Sequence, residues 1–137
     1  MMIATGPHTD AVTARHTFTG VPASVTKARA WAKDRLTVQG VDVPMDLPLV
    51  LTELVANAVR HTRSGDPGGT FVVRLSVRPD RVRVEVRDNG PRGHRTPTAL
   101  AWSPTAESGR GLAIVNAFAD SWGPLTAACG VFAEVPR

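Results

Sequence analysis

Apolar residues fall at helical spacing in two early stretches of the chain and then switch to alternation. Val25, Ala28, Trp31, Ala32 and Leu36 form one stripe; Leu47, Val50, Leu51, Leu54 and Ala58 form the next. Recurrence every three or four residues is what one face of an α-helix presents. Residues 14–20 read as a short strand ending at Gly20. Pro22 suits the start of the first helix and Gly40 its stop. The second helix is expected over 45–61, with Pro48 admissible only in its first turn. Further on, Phe71, Val73, Leu75 and Val77, then Val82, Val84 and Val86, alternate with polar residues across a Pro79-Asp80 turn, which predicts a hairpin. One face of that hairpin is apolar and the other mostly charged, so the sheet should be covered on one side.

The segment 89–108 carries Gly90, Pro91, Gly93, Pro97 and Pro104 and has no period. So long an irregular stretch inside a compact domain is usually functional, and over 91–107 it is expected to be a mobile lid. Leu112, Val115, Phe118 and Ala119 mark a third helix, and strand-like pieces follow near 121–125 and 131–135. The order of elements predicts an α+β two-layer sandwich, with three helices on one face of a mixed, mostly antiparallel sheet.

The length of 137 residues fits one domain, taken as 14–137 behind a flexible tail at 1–13. A net charge of +4 permits an anionic ligand without announcing a nucleic-acid binder. The lone Cys129 excludes an internal disulfide framework and a cysteine-based metal cluster, and suits a reducing compartment. No apolar run approaches the roughly 18 residues of a membrane span. The first residues lack the apolar core of a signal peptide. A cytoplasmic protein without membrane contact is expected. No phosphate-binding Gly-x-x-x-x-Gly-Lys string occurs. The arginines Arg74, Arg78, Arg81, Arg83 and Arg87 fall on the polar side of the hairpin, as a solvated strand face or as a surface for an acidic partner.

Three clusters carry candidate chemistry. Glu53, Asn57 and His61 are spaced by one helical turn each and climb one face beside the apolar stripe, at the edge of the core. A carboxylate and a carboxamide so placed can serve as a base and a metal ligand, or simply form a solvated face. Asp88-Asn89-Gly90 ends a strand; the carboxylate can accept from an amino group and the glycine lets a flat ring approach, or the three residues are an ordinary turn. Ser108-Gly109-Arg110-Gly111-Leu112 opens a helix, where free N–H groups and the helix dipole favour an anion, or where the serine is only a cap.

Taken together and in this order, the clusters resemble the GHKL ATP-binding fold. The strings Leu51-Thr-Glu-Leu-Val-Ala-Asn-Ala-Val-Arg-His61 and Glu107-Ser-Gly-Arg-Gly-Leu-Ala-Ile-Val115 are similar to the anti-sigma-factor serine/threonine kinase branch, especially its small stand-alone actinomycete members. The resemblance covers about residues 14–136. It implies ATP and Mg²⁺ as cofactors. Asn57 would be the metal ligand and Glu53 the general base. Asp88 would take the adenine amino group, with Gly90 beneath the ring. Gly109, Arg110, Gly111 and Leu112 would hold the phosphates, with Arg110 also the counter-charge to the γ-phosphate. His61 matches the pattern without an assigned role. The implied activity is phosphorylation of an antagonist (anti-anti-sigma) protein, with a sigma factor as a further partner and a homodimer as an option. The alternative is a catalytically weak or inactive ATP-binding module that regulates by protein–protein binding. A nucleic-acid binder has little support beyond net charge.

One departure bears on that choice. Members of the group usually place a Thr before the last strand to support the adenine-binding Asp, and here Gly130 stands in that place. The expectation is weak ATP binding, which Gly130→Thr should improve.

Overall fold

The structure, a computed structural model, describes residues 12–92 and 109–137; of Val12 and residues 109–112 only the backbone is described. The elements in chain order are β1 (Val12–Thr19), α1 (Ala23–Val38), α2 (Leu47–His61), β2 (Thr70–Val77), β3 (Arg81–Arg87), α3 (Gly109–Phe118), β4 (Ser121–Pro124) and β5 (Gly130–Pro136). One turn of 3-10 helix, Arg63–Gly65, follows α2. The strands form one sheet in the order β1-β2-β3-β5-β4. The protein is thus the expected α+β sandwich, with every described pairing antiparallel.

Strand alternation explains the single covered face. In the register, Ala14, Leu75, Val84, Ala133 and Trp122 lie side by side across all five strands. Val73, Val86 and Val131 form the neighbouring row. These β-branched and aliphatic side chains suit a pleated, half-buried surface, and they close against Ala28, Ala32 and Leu36 of α1, Val50, Leu51, Leu54, Val55 and Ala58 of α2, and Val115 of α3. The helix α2 lies in the middle, packed against α1 and α3 and against β2, β3 and β5 beneath. That central place is why its buried stripe is the broadest and takes in Val55 beside the residues picked by spacing. Pro48 sits at the helix start, as its missing N–H requires.

β1 begins at Val12, two residues before the expected strand, so the last residues of the expected tail belong to the sheet. Trp31 is half-buried in an aromatic group with His16, Phe18 and Phe71 that ties α1 to the β1–β2 end of the sheet. Trp122 donates to Asn116 Oδ1 at 3.0 Å, tying α3 to β4. Trp102 lies outside the described residues.

On the other face the alternation presents charge. Glu134 of β5 is buried, at 8% exposure, yet it is a carboxylate. Arg78 and Arg83 approach its Oε2 at 3.3 and 3.2 Å, and Arg81 its Oε1 at 3.0 Å. Burial alone would raise this carboxyl, but the hydrogen bonds from Arg81 and Arg83 and the surrounding positive charge hold it below the ordinary range. Glu85 is taken in turn by Arg83 and Arg87.

Candidate functional site

The site is built where the end of α2 meets the loop after β3. At the helix end, Thr62 leaves the helical conformation and donates from Oγ1 to Ala58 O at 2.6 Å. The same hydroxyl accepts from Ser64 N at 3.0 Å. This cap turns the chain into Arg63–Gly65 and brings it beside Asp88-Asn89-Gly90. There Asn89 N donates to the fully buried Ser64 Oγ, Thr70 N donates to Asn89 Oδ1 at 2.8 Å, and Arg63 N donates to Gly90 O at 2.9 Å. Arg63 Nη2 adds a bond to Asn89 O. From the other side Asp88 N donates to Cys129 O at 3.0 Å. The loop is therefore held on three sides, and residues 62–70 are its mould. Ser64 and Asn89 gave no sequence signal as a pair; they lie 25 residues apart with no period linking them.

Within that mould Asp88 accepts from Gly90 N at 2.7 Å through Oδ1, an Asx turn. No described residue donates to its Oδ2. Burial pushes the Asp88 carboxyl above the ordinary Asp value, and the Gly90 N–H offsets part of that rise. Gly90 has φ +95°, a conformation that favours glycine, and a Cβ there would lie 3.3 Å from Arg63 Nη2 and 3.7 Å from Cys129 Sγ. A bare glycine backbone beside a half-satisfied carboxylate gives a flat heteroaromatic ring both a surface and an acceptor.

On α2, Asn57 is 8% exposed, and its Oδ1 is buried without a hydrogen-bond partner among the described residues. An orphaned amide oxygen is costly in a finished core. It is a fitting donor to a hard cation such as Mg²⁺, which takes oxygen ligands. Glu53 is half-buried one turn earlier, and His61 half-buried one turn later. The structure thus brings Asn57, Glu53 and His61 onto one face of α2 and joins the end of that helix to the Asp88 loop. It does not place Glu53 in any hydrogen bond with the described residues.

Of the third cluster, α3 begins at Gly109, so Gly109, Arg110, Gly111 and Leu112 form the first turn of a helix, as the spacing predicts. The contacts of the Arg110 and Leu112 side chains and Ser108 lie outside the described residues. The expected lid lies outside them too, except for Pro91 and Arg92 at its start. Those two are anchored. Pro91 bridges to Thr62, and Arg92 donates to Arg60 O at 2.8 Å and pairs with Asp66 at 3.2 Å. No group of three or more His, Cys, Asp or Glu suited to a metal occurs among the described residues, so a metal here would rest on an amide oxygen and the phosphates.

Gly130 corrects one expectation. It pairs with Arg87 in the β3–β5 ladder at φ +146°, and a Cβ there would lie 2.2 Å from Val86 O and 2.9 Å from Arg87 Cα. Both are backbone atoms and cannot swing away. The position requires glycine, so a threonine cannot simply be restored to support Asp88.

A two-layer sandwich with an acceptor-and-glycine cradle at one end of a helix and an orphaned amide oxygen on that helix defines a nucleotide-binding class of domain. The match to a family model agrees: residues 9–124 match the histidine kinase-like ATPase domain, and the chain belongs to that family. Membership makes ATP the nucleotide this fold is built to hold. No curated protein matches the chain. Among the described residues no helix is long and apolar enough to cross a membrane.

Proposed function

We propose that the protein is a cytoplasmic, Mg²⁺-dependent serine/threonine protein kinase of the anti-sigma-factor type, which phosphorylates an antagonist protein. The observation that carries this reading is the orphaned Asn57 Oδ1 one helical turn from Glu53 on a half-buried face. A cation held at Asn57 would neutralise phosphate charge. Glu53, near it but free of other hydrogen bonds among the described residues, is placed to take the proton of an incoming hydroxyl. Asp88 orients the adenine, and the first turn of α3, with Arg110, meets the phosphates through its free N–H groups. Phosphoryl transfer needs little more from a protein than this positioning and charge balance.

A second reading keeps ATP binding but drops catalysis: the nucleotide only switches the grip on a partner. Gly130 favours it, because no described side chain donates to Asp88 and none can be added at that position. Labelled ATP with candidate antagonist proteins from the source cell separates the two. The kinase reading expects label on one of them, lost in Glu53→Ala while ATP still binds. No label with the wild type, together with an ATP-dependent change in partner binding, supports the switch and overturns the kinase.

A further inference from the structure

The uncovered face of the sheet holds most of the positive excess of the chain. Arg15, Arg74, Arg78, Arg81, Arg83 and Arg87 lie on it against Glu85 and Glu134, by strand alternation and register. Six arginines against the two glutamates, with Asp80 of the hairpin turn also paired to Arg81 at 3.0 Å, leave three of the four net positive charges of the sequence here. Both carboxylates are already taken up, Glu134 by three guanidiniums and Glu85 by two. Arg15 and Arg74 stand directly opposite each other across β1 and β2, and neither pairs with a carboxylate among the described residues. Like charges directly opposed destabilise a sheet, and an added carboxylate between them removes that cost.

We propose that this face is a docking surface for a protein partner presenting a patch of Asp and Glu, on the side of the sheet away from the helices. Glu134 is the internal example of what it accepts: a carboxylate caged by three guanidiniums, each donating one charge-assisted bond to one of its oxygens. Nucleic acid fits less well. Phe132, the aromatic ring of β5 on this face, is covered by the Arg83 guanidinium at 4.1 Å, which leaves no ring for base stacking. A second copy pairing face to face would set one positive surface against another.

The probe is a short Glu/Ser peptide, compared with a single-stranded oligonucleotide of equal charge, by fluorescence anisotropy on the whole chain. The peptide is expected to bind the wild type, to weaken with salt, and to lose about tenfold in affinity in the double variant R15Q/R74Q. Those two arginines make no ion pair among the described residues and repel each other, so the variant should melt at or slightly above the wild-type temperature. Amide shifts of the wild type with peptide should move along β2 and β3. Tighter binding of the oligonucleotide, no peptide binding, shifts confined to the helices, or an unchanged affinity in the double variant overturns the proposal. ATP titrated alongside should leave the peptide affinity intact, so a failed nucleotide site and a failed docking face give different results.

Discussion

Around Glu134 three guanidiniums meet both carboxylate oxygens within 3.3 Å, whereas Asp88 takes one N–H on one oxygen and Asn57 Oδ1 takes nothing from the described residues. Both regions hold polar groups in largely buried positions. The first is complete within the protein and ties β5 to β3 and to the β2–β3 turn. The second is incomplete, and its missing partners match a nucleotide: an amino group for Asp88 and a cation for Asn57. A buried polar group left unsatisfied costs stability; the orphaned Asn57 oxygen, with the half-buried, half-satisfied Asp88 beside a rigid glycine loop, points to a ligand.

The sharpest break in this comparison is Glu53→Ala. With ATP binding kept, phosphoryl transfer should fall by about 10²–10⁴, the usual loss when a general base is removed. A wild-type rate would remove Glu53 from the role of base. Next comes a crossed pair. Asp88→Asn should cost ATP about 1.5–3 kcal/mol, roughly ten- to hundredfold in affinity, without lowering the melting temperature, since its charge is a burden in the free fold. Glu134→Gln should do the reverse: about 1–3 kcal/mol of stability lost, as guanidiniums are left facing one another, with ATP affinity unchanged. Titration calorimetry and thermal melts on both variants read the four values. If Glu134→Gln weakens ATP as much as Asp88→Asn, the two regions are not separate.

Smaller but of definite sign is Gly130→Thr, which should lower stability by about 1–3 kcal/mol through backbone strain and should not improve ATP binding. Improved affinity would mean that the ladder at Arg87 is looser than its geometry. The smallest effect is in pH. The Asp88 carboxyl lies above its ordinary 3.8, so ATP affinity should begin to fall with acidification before an ordinary Asp would protonate. Glu134 lies below its ordinary 4.5; its contribution to stability is present above that value and is lost as pH falls through its lower folded value. Binding should therefore fail at a higher pH than the Glu134 contribution to folding. Melts and titrations over the same acid series show the order.

The sequence made some of this legible and hid the rest for a physical reason. Spacing alone put Glu53, Asn57 and His61 beside the buried stripe of α2, because helical period converts directly into a face. Alternation gave the β2–β3 hairpin and its charged side in the same way. Ser64 and Arg63 left no such trace: their work is done by hydrogen bonds to backbone atoms of a loop about 25 residues away, set by the Thr62 cap and turn rather than by a period. Glu134 was invisible as a hub for a similar reason, since its partners on β3 and beyond are brought to it only by cross-strand register, more than 50 residues along the chain. Gly130 was misread because a residue type shows what is missing from a position, not the φ that keeps it out.

The central claim is that the unsatisfied groups of Asn57 and Asp88 are completed by ATP. Titration calorimetry of the wild type with ATP and with GTP, each with and without Mg²⁺, tests it most directly. The account predicts ATP binding that strengthens with Mg²⁺ and exceeds that of GTP, which carries a carbonyl where adenine offers its amino group to Asp88. No heat with ATP in the presence of Mg²⁺, or equal affinity for the two nucleotides, would contradict it.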